Sequence, residues 1–282
     1  MLILERPWTR QPQTVQQLNI NNQFAAAAGF VIHPGAGAFE YKQQQTPSVN
    51  SATINPTPAG KALTYSSSAN TRFTNAHAKF ATAGPMTFAA LIDVDALSSF
   101  SGIAACQSTA TTNGWELRLG VGSTDSRLFW LRAGPSGYQT CSGSAGNTIT
   151  AGAKSVFVAV THNASSTTDP TPTFVVNDTS YTGSTITGTG GAYAGTTSDL
   201  WLGRRYDGAT QLAGKIHWAY FAPMSLTFSD LQLLRREFYG QLFAPRRIYI
   251  PTATAAASAP TITALSAIGI TATSAQPRIT YA

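Results

Sequence analysis

Apolar and polar residues alternate with a period of two through the middle of the chain. From Pro85 to Val94, the side chains of Phe88, Ala90, Ile92 and Val94 fall on one face, as a half-buried strand requires. Trp115, Leu117, Leu119 and Val121 alternate with Glu116 and Arg118. A Gly-Ser-Thr-Asp turn then leads into Arg127 to Arg132, which predicts a hairpin. Val156 to Val160 is apolar on both faces, as a central strand is, and Thr173 to Val176 runs into a turn at Asn177-Asp178. Leu200 to Gly203 and Gly214 to Phe221 complete the set. Between Phe24 and Tyr65 the signals are shorter, and Ala25 to Ile32 and Ala62 to Tyr65 are the expected strands.

The period changes once. Ser229 is expected to cap a helix in which Gln232 closes a capping box, Leu231, Leu234 and Phe238 share a face, and Gly240 ends the run. Arg6-Pro7-Trp8-Thr9-Arg10-Gln11-Pro12-Gln13 is polar and broken by proline, which predicts an extended arm. Phe243 to Pro251 reads as extended, followed by an Ala/Thr run and two short apolar segments. The expected plan is an arm over 1–24, a β body over 25–243, a linker over 244–260 and a strand pair over 261–282.

Composition narrows the class. Of 282 residues, 43% are hydrophobic and 11% charged, enough for a sizeable core and too apolar for a disordered chain. The 24 Gly and 15 Pro suit an all-β chain with many turns. The net charge is +6, yet Lys supplies 5 of the 18 cations and the late pairs Arg204/Arg205, Arg235/Arg236 and Arg246/Arg247 are local, without the dense basic and aromatic clusters of a nucleic-acid surface. Cys106 and Cys141 are too few for a disulfide scaffold or a thiolate zinc site and read as buried thiols. Glu5 and Arg6 interrupt the apolar start, so neither a signal peptide nor a membrane span is expected, and folding in the cytoplasm is.

Met86 to Phe243 resembles the concanavalin-A-like or laminin-G-like jelly rolls of lectins, pentraxins and many phage proteins. The resemblance rests on the order of four pieces. They are the Met-Thr-Phe-Ala-Ala-Leu-Ile strand, the pair Val156 to Thr161 and Phe174 to Asp178, Leu200-Trp201-Leu202-Gly203, and Gly214 to Phe221 with the helix after it. The opening Arg-Pro-Trp-Thr-Arg-Gln-Pro-Gln and the segment Leu242 to Pro251 resemble the flanks of tailed-phage virion proteins that carry this domain. The resemblance implies an all-β fold: a two-sheet antiparallel jelly-roll β-sandwich with one short C-terminal helix and extended terminal arms.

Some proteins of this fold are glucanases and need two carboxylates at the scissile bond. Here Glu5, Glu40, Glu116 and Glu237 are isolated in sequence, and Asp93 with Asp95 is the one close acidic pair, which a solvated strand end explains as well as acid/base work does. No enzyme is expected. His33, His77, His162 and His217 lack the spacing of a metal face, and Cys141 to Gly146 precedes no helix that would make it a nucleophile elbow. The glycines at 188, 190, 191 and 195 lack a phosphate-loop ending. Asn177, Asp178 and Asp207 are candidate calcium oxygens, but three do not make a site, and no cofactor is expected. Arg204-Arg205-Tyr206-Asp207 is the candidate glycan loop, combining planar donors, a stacking ring and an acceptor; the same residues also suit an Arg–Asp brace across a turn.

The expected role is a structural component of a bacteriophage particle, in capsid decoration or in the tail or fibre, with a lectin-like body. Trp8, Phe243, Ile248, Tyr249 and Ile250 are too apolar for water, and with Arg10, Arg246 and Arg247 they form the expected assembly set. Expected partners are other virion proteins, further copies of the chain in a homo-oligomer such as a trimer, and cell-surface glycans, with neither nucleic acid nor membrane. The virion is the expected location. A free-standing lectin module is the alternative, and a glycan hydrolase the third reading.

Overall fold

The computed structural model describes residues 2–6, 8–66, 68–74, 83–97, 100–107, 113–120, 126–135, 137–144, 147–164, 171–188, 191–193, 196, 198–205 and 211–250. The first elements are β1 (Leu2–Arg6), α1 (Gln23–Ala27), β2 (Phe30–His33), β3 (Phe39–Glu40), β4 (Val49–Asn50), β5 (Thr53–Thr57), β6 (Gly60–Tyr65) and β7 (Thr71–Phe73). The long strands follow: β8 (Met86–Ala96), β9 (Ser101–Cys106), β10 (Gly114–Leu119), β11 (Leu128–Ala133), β12 (Tyr138–Gly143) and β13 (Val156–His162). The chain closes with β14 (Thr173–Val176), β15 (Thr179–Gly188), β16 (Leu200–Leu202), β17 (Ala213–Ala222), α2 (Phe228–Leu242) and β18 (Arg246–Ile250).

These strands build a two-sheet antiparallel β-sandwich, as the alternation predicts. One sheet runs β3-β2-β17-β8-β13-β14, with β6 and β5 added beside β17, and the other runs β12-β11-β10-β9-β16-β7-β4. A single strand belongs to both. Thr179–Thr182 of β15 pair with β14, and Gly183–Gly188 pair with β12. The crossing falls at Gly183, where a Cβ would lie 2.6 Å from the Pro172 carbonyl oxygen.

Two cores explain the sequence pattern. Between the sheets lie Phe88, Ala90, Ile92 and Val94 of β8, Val156, Val158 and Val160 of β13, and Trp115, Leu117 and Leu119 of β10. Trp115 stacks on Trp130 at 5.4 Å and on Phe221 at 5.6 Å, which ties strands of both sheets together. A second core forms where the first sheet's outer face meets the helices, with Phe157, Ala159, Trp218 and Tyr220 against Phe24, Leu231, Leu234 and Phe238. β13 is therefore apolar on both faces because it is buried on both. Each fully buried large apolar side chain stabilises the fold by about 1.5–3 kcal/mol.

Three local expectations change. Ala25 to Ala27 lie in α1, because Asn22 accepts from the Phe24 N–H and caps a helix there; the strand begins only at Phe30. α2 starts two residues earlier than expected. Thr227 Oγ1 accepts from Asp230 N at 3.2 Å while the Asp230 carboxylate accepts from Thr227 N at 3.0 Å, a reciprocal box contributing about 1 kcal/mol. Nor does Gly240 end the helix, which continues to Leu242 despite non-helical backbone at Glu237. Leu231, Leu234 and Phe238 do form its buried face.

From Trp8 to Gln17 the chain is neither helical nor stranded, and it packs on the body of its own subunit. Trp8 Nε1 donates to Ala244 O at 2.9 Å, Gln11 Nε2 donates to Lys61 O at 2.9 Å, and Leu18 forms a bridge with Phe243. Phe243 is fully buried in the second core, with Trp8 packed against that core. Their need for an apolar surface, the basis for placing them in an assembly set, is met within one chain. Arg10 is exposed.

The sandwich occupies a compact unit of residues Arg6–Arg246. Separately, β1 pairs with β18 in a two-stranded sheet. The side chains of Arg246, Arg247, Ile248, Tyr249 and Ile250 lie outside the described residues, as do the linker after residue 250 and the expected strand pair over 261–282. Both cysteines are buried free thiols. Among the described residues no helix is long and apolar enough to cross a membrane.

Candidate functional site

Register places a row of residues on the outer face of the second sheet. Residues paired directly across antiparallel strands point to the same face. Arg72 pairs with Trp201, Trp201 with Ala105, and Ala105 with Glu116, so Arg72, Trp201 and Glu116 share the face opposite Trp115 and Leu117. Arg118, two residues beyond Glu116, lies there too.

The candidate glycan loop enters this row through its arginines. Gly102 allows the approach: a Cβ there would sit 2.3 Å from both Arg204 C and Arg205 N, so a side chain at this position would push the loop off β9. Bridges from Gln211 to Gly102 and to Arg204 hold the loop's two ends together. The Arg204 guanidinium lies 4.1 Å and the Arg72 guanidinium 5.2 Å from the centre of the Trp201 ring. Arg205 and Arg118 lie 4.8 and 4.9 Å from the centre of Phe100. Such contacts are each worth about 0.5–2 kcal/mol and hold planar donors beside flat rings.

Glu116 anchors the far end. It is fully buried, and its Oε1 receives Arg205 Nε at 3.0 Å and Arg118 Nη1 at 3.3 Å. Burial pushes its carboxyl above the usual range, against the pull of both arginines. Arg205 is thus braced by a glutamate 89 residues away in sequence; the Arg–Asp brace expected within the loop involves Asp207, which like Tyr206 lies outside the described residues. Sequence reading missed Phe100, Arg72, Arg118 and Glu116; the polar side of β10 was visible, but its burial was not.

A second cluster sits between the sheets' first layer and the β5–β6 hairpin. Lys215 pairs with Asp93 across β17 and β8, and a bulge between Ile216 and Trp218 then inserts His217 as an extra residue. A bulge re-aims a side chain. Here His217 Nε2 meets Asp93 Oδ1 at 3.0 Å, its Nδ1 meets Thr57 Oγ1 at 3.4 Å, and Ser155 N donates to Asp93 Oδ1 at 2.8 Å. Asp95 bonds Lys154 and, at 3.4 Å, Lys215; the Lys154 ammonium holds its carboxyl below the usual range. Asp93 is therefore buried and paired rather than a solvated strand end. Carboxylate, imidazole and hydroxyl in series make the chain used to activate a nucleophile. Thr57, however, donates its proton to Gly60 O at 2.6 Å, closing its own turn. The cluster braces the hairpin.

The other polar candidates are occupied by the protein. Asn177 Oδ1 accepts from Phe157 N at 3.0 Å and its carbonyl accepts from Gln232, while Asp178 bonds Arg235. His33 stacks on Tyr41 at 4.5 Å, and His162 accepts from Trp130 Nε1 at 3.2 Å; His77 lies outside the described residues. Among the described residues no group of three or more His, Cys, Asp or Glu is placed to hold a metal ion.

No protein-family model and no curated protein sequence matches this chain. Solved structures do match its fold. The binding domain of Paraclostridial Mosquitocidal Protein 1 aligns at TM-score 0.53 and 13% identity, over 76% of this chain and 52% of that one. Domain 4 of AbnA, a GH43 extracellular arabinanase from Geobacillus stearothermophilus, in complex with arabinotriose, aligns at TM-score 0.50 and 11% identity, over 79% of this chain and 100% of that one. The binding domain of Botulinum Neurotoxin DC in complex with SialylT aligns at TM-score 0.52 and 12% identity, over 76% and 52%. The chain thus spans about half the length of the two toxin binding domains. At such identities the likeness is one of fold, a β-sandwich shared with domains that bind.

Proposed function

We propose that this chain is a non-catalytic binding protein, a structural component of a phage particle whose second sheet presents a glycan-binding face. One observation carries the binding reading: the Trp201 ring on the sheet face, with the guanidinium groups of Arg72 and Arg204 over it. A flat aromatic beside planar, multivalent donors suits a sugar, which has an apolar face and a rim of hydroxyls. Two fold neighbours, one in complex with arabinotriose and one with SialylT, support the same reading. The particle assignment rests on the flanking segments before and after the body.

Two measurements test the two halves. Trp201→Ala with Arg204→Ala should abolish retention of at least one glycan on an array without lowering the unfolding temperature by more than a few degrees; a retention profile unchanged for every glycan would remove the face from consideration. Mass spectrometry of purified particles should find the chain in stoichiometric amount. Glycan binding by a protein found only outside particles would favour the free-standing lectin.

A further inference from the structure

The N-terminal arm runs beside two cavities that the sheet face does not use. The first, about 300 Å³, is lined by Trp8, Thr9, Arg236, Glu237 and Tyr239. The second, about 670 Å³, lies between Arg10 and Gln13 of the arm and the hairpin tip at Pro58. Thr9 and Tyr239 line both, so the cavities adjoin. Small-molecule sites commonly occupy about 300–1,000 Å³, so together the two have room for more than one sugar ring.

The chemistry at the first cavity is specific. Trp8 is half-buried and fixed through its Nε1 bond to Ala244 O, leaving a rigid indole at the cavity wall. α2 leaves helical geometry here, at Glu237 (φ −128°, ψ 28°), and Arg236 and Glu237 are both exposed. Glu237 Oε2 accepts from Gln241 Nε2 at 2.7 Å; among the described residues no hydrogen bond engages its Oε1 or the Arg236 guanidinium. A fixed ring therefore stands beside one unused acceptor and one multivalent donor. Vicinal hydroxyls of a pyranose donate and accept from neighbouring carbons, and the ring's C–H face stacks on indole. The opposite charges of Arg236 and Glu237 leave the subsite close to neutral, which favours a neutral sugar over an acidic one. Further along, Arg10 and Gln13 continue the polar lining.

We propose that this cleft along the arm is a second saccharide site, taking a neutral oligosaccharide with one ring stacked on Trp8 and its hydroxyls shared between Arg236 and Glu237. It is independent of the Trp201 face. Calorimetric titration of the full chain with cellohexaose, maltohexaose and mannohexaose tests it. At least one should bind, and Arg236→Ala with Glu237→Ala, both surface changes, should weaken that binding by at least about tenfold. Trp8→Ala should do the same, while Trp201→Ala with Arg204→Ala should leave it unchanged. No heat with any of the three sugars would overturn the proposal. So would binding that survives the Arg236/Glu237 pair, or binding lost only in the Trp201/Arg204 variant, which would assign it to the sheet face.

Discussion

Replacing Glu116 with alanine is expected to cost the fold about 3–5 kcal/mol, the usual penalty when one member of a buried ion pair is removed. Glu116 is fully buried, and the side chains of its partners Arg118 and Arg205 are 8% and 12% exposed. Alanine would leave two guanidinium groups facing each other with little water to solvate them. In a domain of this size each kcal/mol shifts the unfolding midpoint by about 2–4 °C, so the drop should be about 6–20 °C. Glu116→Gln separates charge from shape. The amide keeps the Oε1 acceptor, and its nitrogen takes the place of Oε2, which has no protein partner among the described residues. Most of the loss seen with glutamine is then electrostatic. Thermal unfolding followed by near-ultraviolet dichroism suits the measurement, because Trp115 and Trp130 stack in the neighbouring core. A loss below about 1 kcal/mol for Glu116→Ala would place the cluster with exposed surface pairs and refute its buried character.

Two further outcomes follow from other parts of the molecule. Burial pushes the Glu40 carboxyl up to about 7, although Val31 N and Lys42 N donate to it at 2.9 and 2.7 Å. Its native state holds the proton more tightly than the unfolded chain does, so its stabilising contribution is full below about pH 4.5 and lost as pH rises through about 7. Urea midpoints of the native protein and Glu40→Gln, compared across that range, should show this extra fall in the native protein alone; parallel curves would refute it. Deleting everything after Pro251 should leave the Arg6–Arg246 unit folded with an unchanged midpoint and reduce self-association in sedimentation velocity. Unfolding of the truncated chain would place the tail in the core, and unaltered assembly would end its role as a clip.

The faces of the long strands were legible in the sequence because they depend on a local rule. Side chains two apart share a face, so Phe88, Ala90, Ile92 and Val94 had to be buried together wherever β8 lay. The two-faced burial of β13 and the apolar stripe of α2 were legible for the same reason. The helix start was not. Thr227 with Asp230 and Ser229 with Gln232 both fit a capping box, and the decision comes from Thr87, whose hydroxyl donates to Met224 O at 2.8 Å and accepts from Leu226 N at 2.9 Å, anchoring the preceding turn.

The sites depended most on tertiary structure. Arg204 and Arg205 stood out as neighbours, but Glu116 is 89 residues from Arg205 and Asp93 is 124 from His217. Nothing local to Glu116 distinguishes a solvent-facing residue of an alternating strand from one enclosed between two arginines. The sequence by itself determined which residues would seek the core, since that depends on side-chain hydrophobicity and strand periodicity. Which polar residues would meet was decided by strand order, by the bulge at His217 and by the close approach at Gly102, because charges on different strands interact only after register has brought them within a few ångströms.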